Sequence, residues 1–273
     1  MEPVRYTEVS GVPRNRKPAE TRSPVAGGAG RSNEFGQPIG PELAGWKPPP
    51  APRRSILHGR FCQLEPLREE AHGQSLFGSF AADARGTNWT YMPYGPFTAY
   101  ADFRRWLDWA CAAAGPLFFA IADTATGTAA GVASYLNIDT ANGSIEVGHI
   151  HYSEQLKRTR AATEAMYLLM KQAFDLGYRR YEWKCDALNR PSRAAARRLG
   201  FRFEGLFRNA VVYNGRSRDS AWHSIVDSEW PRLDAAFRTW LDAANFTGEG
   251  RQRHSLSALT APHSTDIVTA VGS

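Results

Sequence analysis

Along the stretch Ser144 to Tyr152 a carboxylate, Glu146, is followed by two imidazoles, His149 and His151, and a basic loop then runs into a helical pattern. A carboxylate or imidazole on a strand can take a proton from a nucleophile, directly or through water. The residues that follow, Gln155, Leu156, Lys157, Arg158, Thr159, Arg160, Ala161 and Ala162, form a loop–helix junction. Free amides in a first helical turn and the positive end of the helix dipole attract anions, and Lys157, Arg158 and Arg160 add full charges. Farther on, Asn189 and Ser192 flank Pro191, where a second helix would start. The loop Asn88 to Phe97 holds Trp89, Tyr91 and Tyr94 among prolines, a composition suited to the wall of a pocket for an amphipathic or cationic amine. Each group has a structural alternative. Glu146 could pair with a neighbouring arginine, Ser192 could be a cap hydroxyl, and the aromatic rings could pin a loop to the core. His149 and His151 share a strand face, but the sequence places no third ligand, so no metal is expected.

The elements that must position these groups lie in a core of residues 55–244. Ile56 to Leu67 reads as a strand, Glu69 to Ala82 as a helix, Tyr100 to Ala114 as an amphipathic helix and Leu117 to Ala122 as a buried strand. Gly131 to Ile138 and Ser144 to Tyr152 form a hairpin around Asn142-Gly143. Ala162, Met166, Leu169, Ala173 and Leu176 are spaced for one helical face, and Gly177 ends it. Tyr178 to Asp186 is a strand, Pro191 to Leu199 a short helix, and Phe201 to Tyr213 with Ala221 to Val226 a closing strand pair. A strand–helix–strand unit inside an antiparallel run predicts an α/β fold with a mixed, mostly antiparallel sheet and one parallel pair.

Flanking this core, residues 1–54 are Pro/Gly-rich and aperiodic and read as an extended or disordered arm. Within that arm Asn33 to Gly40 and Trp46 are the residues with some capacity to pack. Residues 245–273 are polar and aperiodic and read as a loose tail.

The net charge of +6 is unevenly distributed. The first 54 residues hold nine basic and five acidic side chains, residues 55–151 five and nine, and residues 152–200 eleven and five. Outside the arm the positive charge is local to residues 152–200, which suits a compact polyanion better than a nucleic-acid backbone, so no nucleic-acid partner is expected. Cys62, Cys111 and Cys185 show neither a disulfide framework nor zinc spacing. No leader or bilayer-length apolar run is visible, and the expectation is a cytoplasmic protein, monomeric or homodimeric, without a membrane partner.

Four stretches in order carry a resemblance: Glu146-Val147-Gly148, Ala162-Thr163-Glu164-Ala165, Asn189 with Ser192, and Leu199-Gly200-Phe201 with Glu204-Gly205. Together they resemble the GNAT superfamily of N-acetyltransferases, particularly the branch of ribosomal-protein alanine N-acetyltransferases. The resemblance implies a central sheet of about seven strands, splayed at its centre and flanked by about four helices. It implies acetyl-CoA as co-substrate and direct attack of a primary amine, on a peptide or a small molecule, upon the thioester. It assigns Glu146 as base and Ser192 as the group that meets the thiolate. Donor contacts would come from His149, Ile150 and His151 at the splay, from the 155–162 loop, and from Asn189 and Ser192. The acceptor would meet Trp89, Tyr91, Tyr94 and Glu146. The family's phosphate loop reads Q/R-x-x-G-x-G/A; here Gln155 holds the first place, while Arg158 and Arg160 stand where small residues would be. Such a loop implies that guanidiniums take over part of the phosphate contact; a non-catalytic acyl-CoA-binding module is the alternative.

Overall fold

The computed structural model describes residues 31–113 and 115–262. The chain divides into two compact units, residues 1–46 and 47–273. In the first, β1 (Arg31–Ser32) pairs with β2 (Pro38–Ile39) in a small hairpin. Asn33 closes it, its Oδ1 accepting the N–H groups of Phe35 at 3.0 Å and Gln37 at 2.9 Å, an Asx-type turn. Residues 1–30 of the expected arm and residues 263–273 of the expected tail lie outside the described residues.

The second unit is built on an eight-stranded sheet. Its strands are β3 (Leu57–His58), β4 (Cys62–Pro66), β5 (Leu117–Asp123), β6 (Ala129–Asp139), β7 (Ser144–Tyr152), β8 (Arg180–Asp186), β9 (Arg202–Tyr213) and β10 (Arg216–Val226). They lie in the order β3-β4-β5-β6-β7-β8-β10-β9, with β7–β8 the single parallel pair among the described strands. Strand alternation sorts side chains to two faces. On β5, Phe118 and Ala120 face α1 (Glu69–Phe80) and α2 (Tyr100–Ala112), whereas Leu117, Phe119 and Ile121 join the core on the other side. That second face is covered by α3 (Arg160–Asp175), α4 (Arg190–Arg198), α5 (Trp230–Leu241) and α6 (Leu256–Thr260).

The sheet therefore has eight strands rather than about seven, and six α-helices flank it rather than about four. One extra strand arises because Ile56 to Leu67 does not run unbroken. Its centre turns at Gly59 to Phe61, and the carboxylate of Glu164 on α3 takes the backbone N–H groups of Arg60, Phe61 and Cys62 at 2.9, 2.6 and 2.9 Å. The extra helices lie C-terminal to the expected ones. Leu233, Phe237 and Trp240 repeat at four and three residues behind Pro231, and all three are buried in α5, an amphipathic signature with proline at the start. Residues 245–262, read as loose, are packed at particular points: Leu256 is buried against the core, and the Asn245 side chain bonds the carbonyls of Trp240 and His254. At the other end Pro49 is buried and Tyr178 donates its hydroxyl to the carbonyl of Pro50 at 3.3 Å, so residues 47–54 lie on the folded unit.

The helix that matters most for the site is α3. Thr159 caps it, its hydroxyl accepting the Ala162 N–H at 3.1 Å. Gly177 ends it at φ +96°, where the Tyr178 N–H reaches back to Ala173, a left-handed stop that glycine adopts without a Cβ penalty. The buried stripe Ala162, Met166, Leu169 and Ala173 holds α3 against the sheet.

Parallel pairing of β7 with β8 runs only from Ser144–Arg180 to Val147–Trp183. Beyond that point β8 stays paired to β10 out to Asp186, whereas β7 departs. The departure coincides with a bulge against β6. Val132 pairs with His151 and Ser134 with Gly148, so Ala133 faces two residues, and His149 takes φ +51°. A bulge bends its strand and increases local twist. The sheet is thus splayed at its centre, as expected.

Candidate active site

The splay opens into a cavity of about 1020 Å³ between the end of β7, the end of β8 and the first turns of α3 and α4. Nine of the expected donor-site residues line it: Ile150 and His151 on β7, Lys157, Arg158 and Thr159 on the loop, Arg160 and Ala162 on α3, and Asn189 with Ser192 at the start of α4. Four do not line it: His149, whose Nδ1 meets the Tyr94 hydroxyl, and three residues of the loop and helix start. Gln155 is exposed, while Leu156 and Ala161 are buried in the core and anchor the loop and the helix. Leu156 packs over Gly131, where an added Cβ would come within 2.5 Å of its Cδ2.

The loop's cations are not equivalent. Lys157 pairs with Glu154 at 2.7 Å and also bonds Asn88, so it ties the loop to the 3-10 turn Thr87–Trp89 and is largely neutralised. Arg158 and Arg160 have no carboxylate partner among the described residues. Arg158 sits at φ +61°, the left-handed conformation that the glycine expected at this place would adopt freely and an L-residue adopts at a cost. Arg160 lies over the rings of Phe61 and Phe246, at 4.5 and 4.7 Å from their centroids. Such contacts fix a guanidinium without neutralising it.

At the inner end, Asn189 caps α4, its Oδ1 accepting the Ser192 N–H at 3.1 Å. The Ser192 hydroxyl accepts the indole N–H of Trp183 at 3.0 Å, which fixes its oxygen at the mouth of the splay. Burial pushes the nearby Cys185 thiol up, with Ser192 opposing that shift by hydrogen bonding.

Glu146 stands behind this cavity rather than in its lining. It is 5% exposed, and its Oε2 takes both donors within reach, the Asn137 amide at 2.7 Å and the Lys184 ammonium at 2.9 Å. Its Oε1 has no hydrogen-bond partner among the described residues and lies 3.8 Å from where a Cβ on Gly148 would be, the residue at which β7 leaves β8. Burial raises the Glu146 carboxyl above its ordinary value, against the pull of Lys184 and Asn137. The pairing partner expected from sequence was an arginine; the structure supplies Lys184 from β8.

The aromatic loop splits in two. Tyr91 lines the cavity and donates to the Leu188 carbonyl at 3.2 Å. Trp89 and Tyr94 do not line it: Trp89 stacks on His151 at 3.7 Å between centroids, and the Tyr94 hydroxyl meets His149 Nδ1 at 3.0 Å. Burial lowers both imidazoles from 6.5 to about 4, so they are neutral near pH 7. Among the described residues no group of three or more His, Cys, Asp or Glu side chains is placed to hold a metal ion, and no described helix is long and apolar enough to cross a membrane.

Several lining residues were not anticipated. Arg198, at the far end of α4, donates both terminal nitrogens to the Thr163 hydroxyl at 3.2 Å and lies over Trp240 at 5.2 Å. Trp240 from α5 forms a wall together with Phe246, Gly250 and Gln252 from the stretch read as tail. The amphipathic repeat of α5 was the signal available for Trp240; nothing local marks Phe246 or Gln252.

The cleft thus opens where the parallel pairing of β7 and β8 stops, with a basic helix start on one side of it. The profile of the Acetyltransferase (GNAT) domain matches residues 62–202, just over half of the chain. The chain belongs to the GNAT acetyltransferase family. It is similar to a crystal structure of a GCN5-related N-acetyltransferase from Brucella melitensis, at 46% identity and TM-score 0.78, over 80% of this chain and 99% of that one. A GNAT-family structure from Chromobacterium violaceum is 42% identical with TM-score 0.67, covering 71% of this chain and 97% of that one. YdaF of Bacillus subtilis (strain 168), described as a candidate ribosomal N-acetyltransferase, is 30% identical over 105 residues, 38% of this chain and 57% of that relative. The match thus spans little more than half the length of that curated relative.

Proposed function

We propose that this protein moves an acetyl group from acetyl-CoA to a primary amine by direct attack in a ternary complex, with the α-amine of a protein as the favoured acceptor. The observation that carries the donor half is the convergence of two guanidiniums without carboxylate partners among the described residues, Arg158 and Arg160, on the cavity that opens where β7 and β8 stop pairing. That cavity exceeds the usual range for a small-molecule site, roughly 300–1,000 Å³, and has room for a long ligand. The YdaF resemblance supports a protein acceptor, and Tyr91 supplies an aromatic wall for it.

When bound, acetyl-CoA would supply the thioester carbonyl that the amine attacks. The loop 157–160 and the first amides of α3 hold phosphate charge. The backbone N–H groups of β7 beyond Gly148 are released from β8 and can meet negative charge on a carbonyl oxygen. Glu146 receives the amine proton at Oε1, through water, while Lys184 and Asn137 hold Oε2. Ser192, held by Trp183, offers its hydroxyl to a leaving thiolate.

Two features sustain the second reading, a non-catalytic acyl-CoA-binding module: Glu146 lies outside the cavity lining and is ion-paired. Release of free CoA thiol, followed with a panel of peptides and small amines, separates the two. Transfer by the wild type that is lost in Glu146→Gln and Ser192→Ala supports the enzyme. Binding of acetyl-CoA in calorimetry without transfer to any amine supports the module.

A further inference from the structure

Helix α4 gives the cavity a lengthwise direction. Ser192, Ala195 and Leu199 line it at three- and four-residue spacing, and Arg198 stands about 9 Å along the helix axis from Ser192, six residues at about 1.5 Å each. The inner end, at Ser192 and Trp183, belongs to the acyl group in the reading above. The loop 157–160 at the start of α3 already carries two guanidiniums. Arg198 forms a separate site: it bonds Thr163, one turn farther into α3, and packs on Trp240.

Its chemistry is unsatisfied. A guanidinium has five N–H donors. Here two share a single hydroxyl oxygen at 3.2 Å, and no carboxylate pairs with it among the described residues. Burial lowers its pKa, so the charge is held in a partly desolvated place where nothing acidic answers it. The indole that supports it is itself fixed, Trp240 Nε1 donating to Gln252 Oε1 at 2.8 Å, and Thr260 on α6 bonds the Arg198 carbonyl at 3.0 Å. The C-terminal segment thus holds this arginine at the end of the cavity opposite the acyl end.

Coenzyme A carries a third phosphate, on the 3′ oxygen of its ribose, apart from its diphosphate. We propose that Arg198, held by Trp240 and Thr163, binds that phosphate and makes the site selective for 3′-phosphorylated donors; this rests on the acyl-CoA reading of the cavity. Charge-assisted contacts of this kind are worth about 1.5–3 kcal/mol, on the order of tenfold or more in affinity.

The test is calorimetric titration of the full-length protein with CoA and with 3′-dephospho-CoA, in the wild type and in Arg198→Gln. The wild type should prefer CoA by about tenfold or more. Arg198→Gln should lose that preference while its affinity for 3′-dephospho-CoA stays at the wild-type value, which also reports that the variant is folded. Arg158→Ala should weaken both ligands alike. Equal wild-type affinity for the two ligands, a preference that survives Arg198→Gln, or a parallel loss of both ligands in that variant overturns the proposal and leaves the donor site standing. If the wild type binds neither ligand, the donor reading itself fails, and this one with it.

Discussion

The ammonium of Lys184 lies 2.9 Å from Oε2 of Glu146, joining β8 to β7 one residue past Trp183, the last parallel partner on β8. The same ammonium is 2.8 Å from Oε2 of Glu182 and 3.9 Å from the centroid of Trp222. Glu182 has Arg180 as a second partner at 2.6 Å. Lys184 is therefore dispensable to Glu182 but is the one cation paired with Glu146 among the described residues.

Replacing Lys184 with Met should raise the Glu146 carboxyl further, because burial already raises it and the opposing charge is gone. A base must be ionised to act, so the acid limb of the kcat/KM profile moves to higher pH, and the variant loses more activity at pH 6 than at pH 9. Glu146→Gln should lower kcat by about 10²-fold or more at every pH. Identical pH profiles for wild type and Lys184→Met would remove Glu146 from the base role.

Acid stability should reflect the two imidazoles. Their folded pKa values, about 4, lie below the unfolded value of 6.5. The unfolded chain binds these protons first, so the stabilising contribution is whole above pH 6.5 and is lost as pH falls to about 4. Each ring accounts for a loss on the order of 3 kcal/mol at the acid limit. Melting temperatures measured from pH 7 to 4 should fall less steeply in His151→Gln than in the wild type.

Glu164 is a structural carboxylate. Its removal in Glu164→Ala leaves three backbone N–H groups without their acceptor and should cost about 3 kcal/mol or more in urea denaturation. Glu164→Gln should fall between, since its carbonyl oxygen can still serve Phe61 and Cys62 while its amide opposes the N–H of Arg60.

Arg158→Gly should trade affinity for stability. Release of a left-handed L-residue gains roughly 1–2 kcal/mol, offset by about 0.5–1 kcal/mol of added freedom in the unfolded chain. A net gain of up to about 1.5 kcal/mol should appear as a raised melting temperature. Loss of a charge-assisted phosphate contact should weaken CoA binding about tenfold or more in calorimetry.

Much of this architecture was legible because its signals are local. The 3.6-residue stripe of α3, the turn at Asn142-Gly143 and the strand–helix–strand order required only residues near one another in the chain. Glu146-Val147-Gly148, the Ala162–Ala165 quartet and Asn189 with Ser192 carried the family because they occupy such elements at regular spacing. The helix Trp230–Leu241 is equally local in its signal, with Leu233, Phe237 and Trp240 on one stripe behind Pro231.

What sequence alone determined is the class: a mixed sheet opened at one parallel pair, with a basic helix start beside the opening. Only the tertiary structure decided which charges are available. Lys157 is answered by Glu154 close by, but Glu146 is answered by Lys184 across a strand pair, and Arg198 is held by Trp240 from a helix more than 40 residues later in the chain. Pairing of this kind depends on register and on the packing of distant segments. A residue's charge is written in its identity, while whether that charge is neutralised depends on what the fold brings within a few ångströms of it.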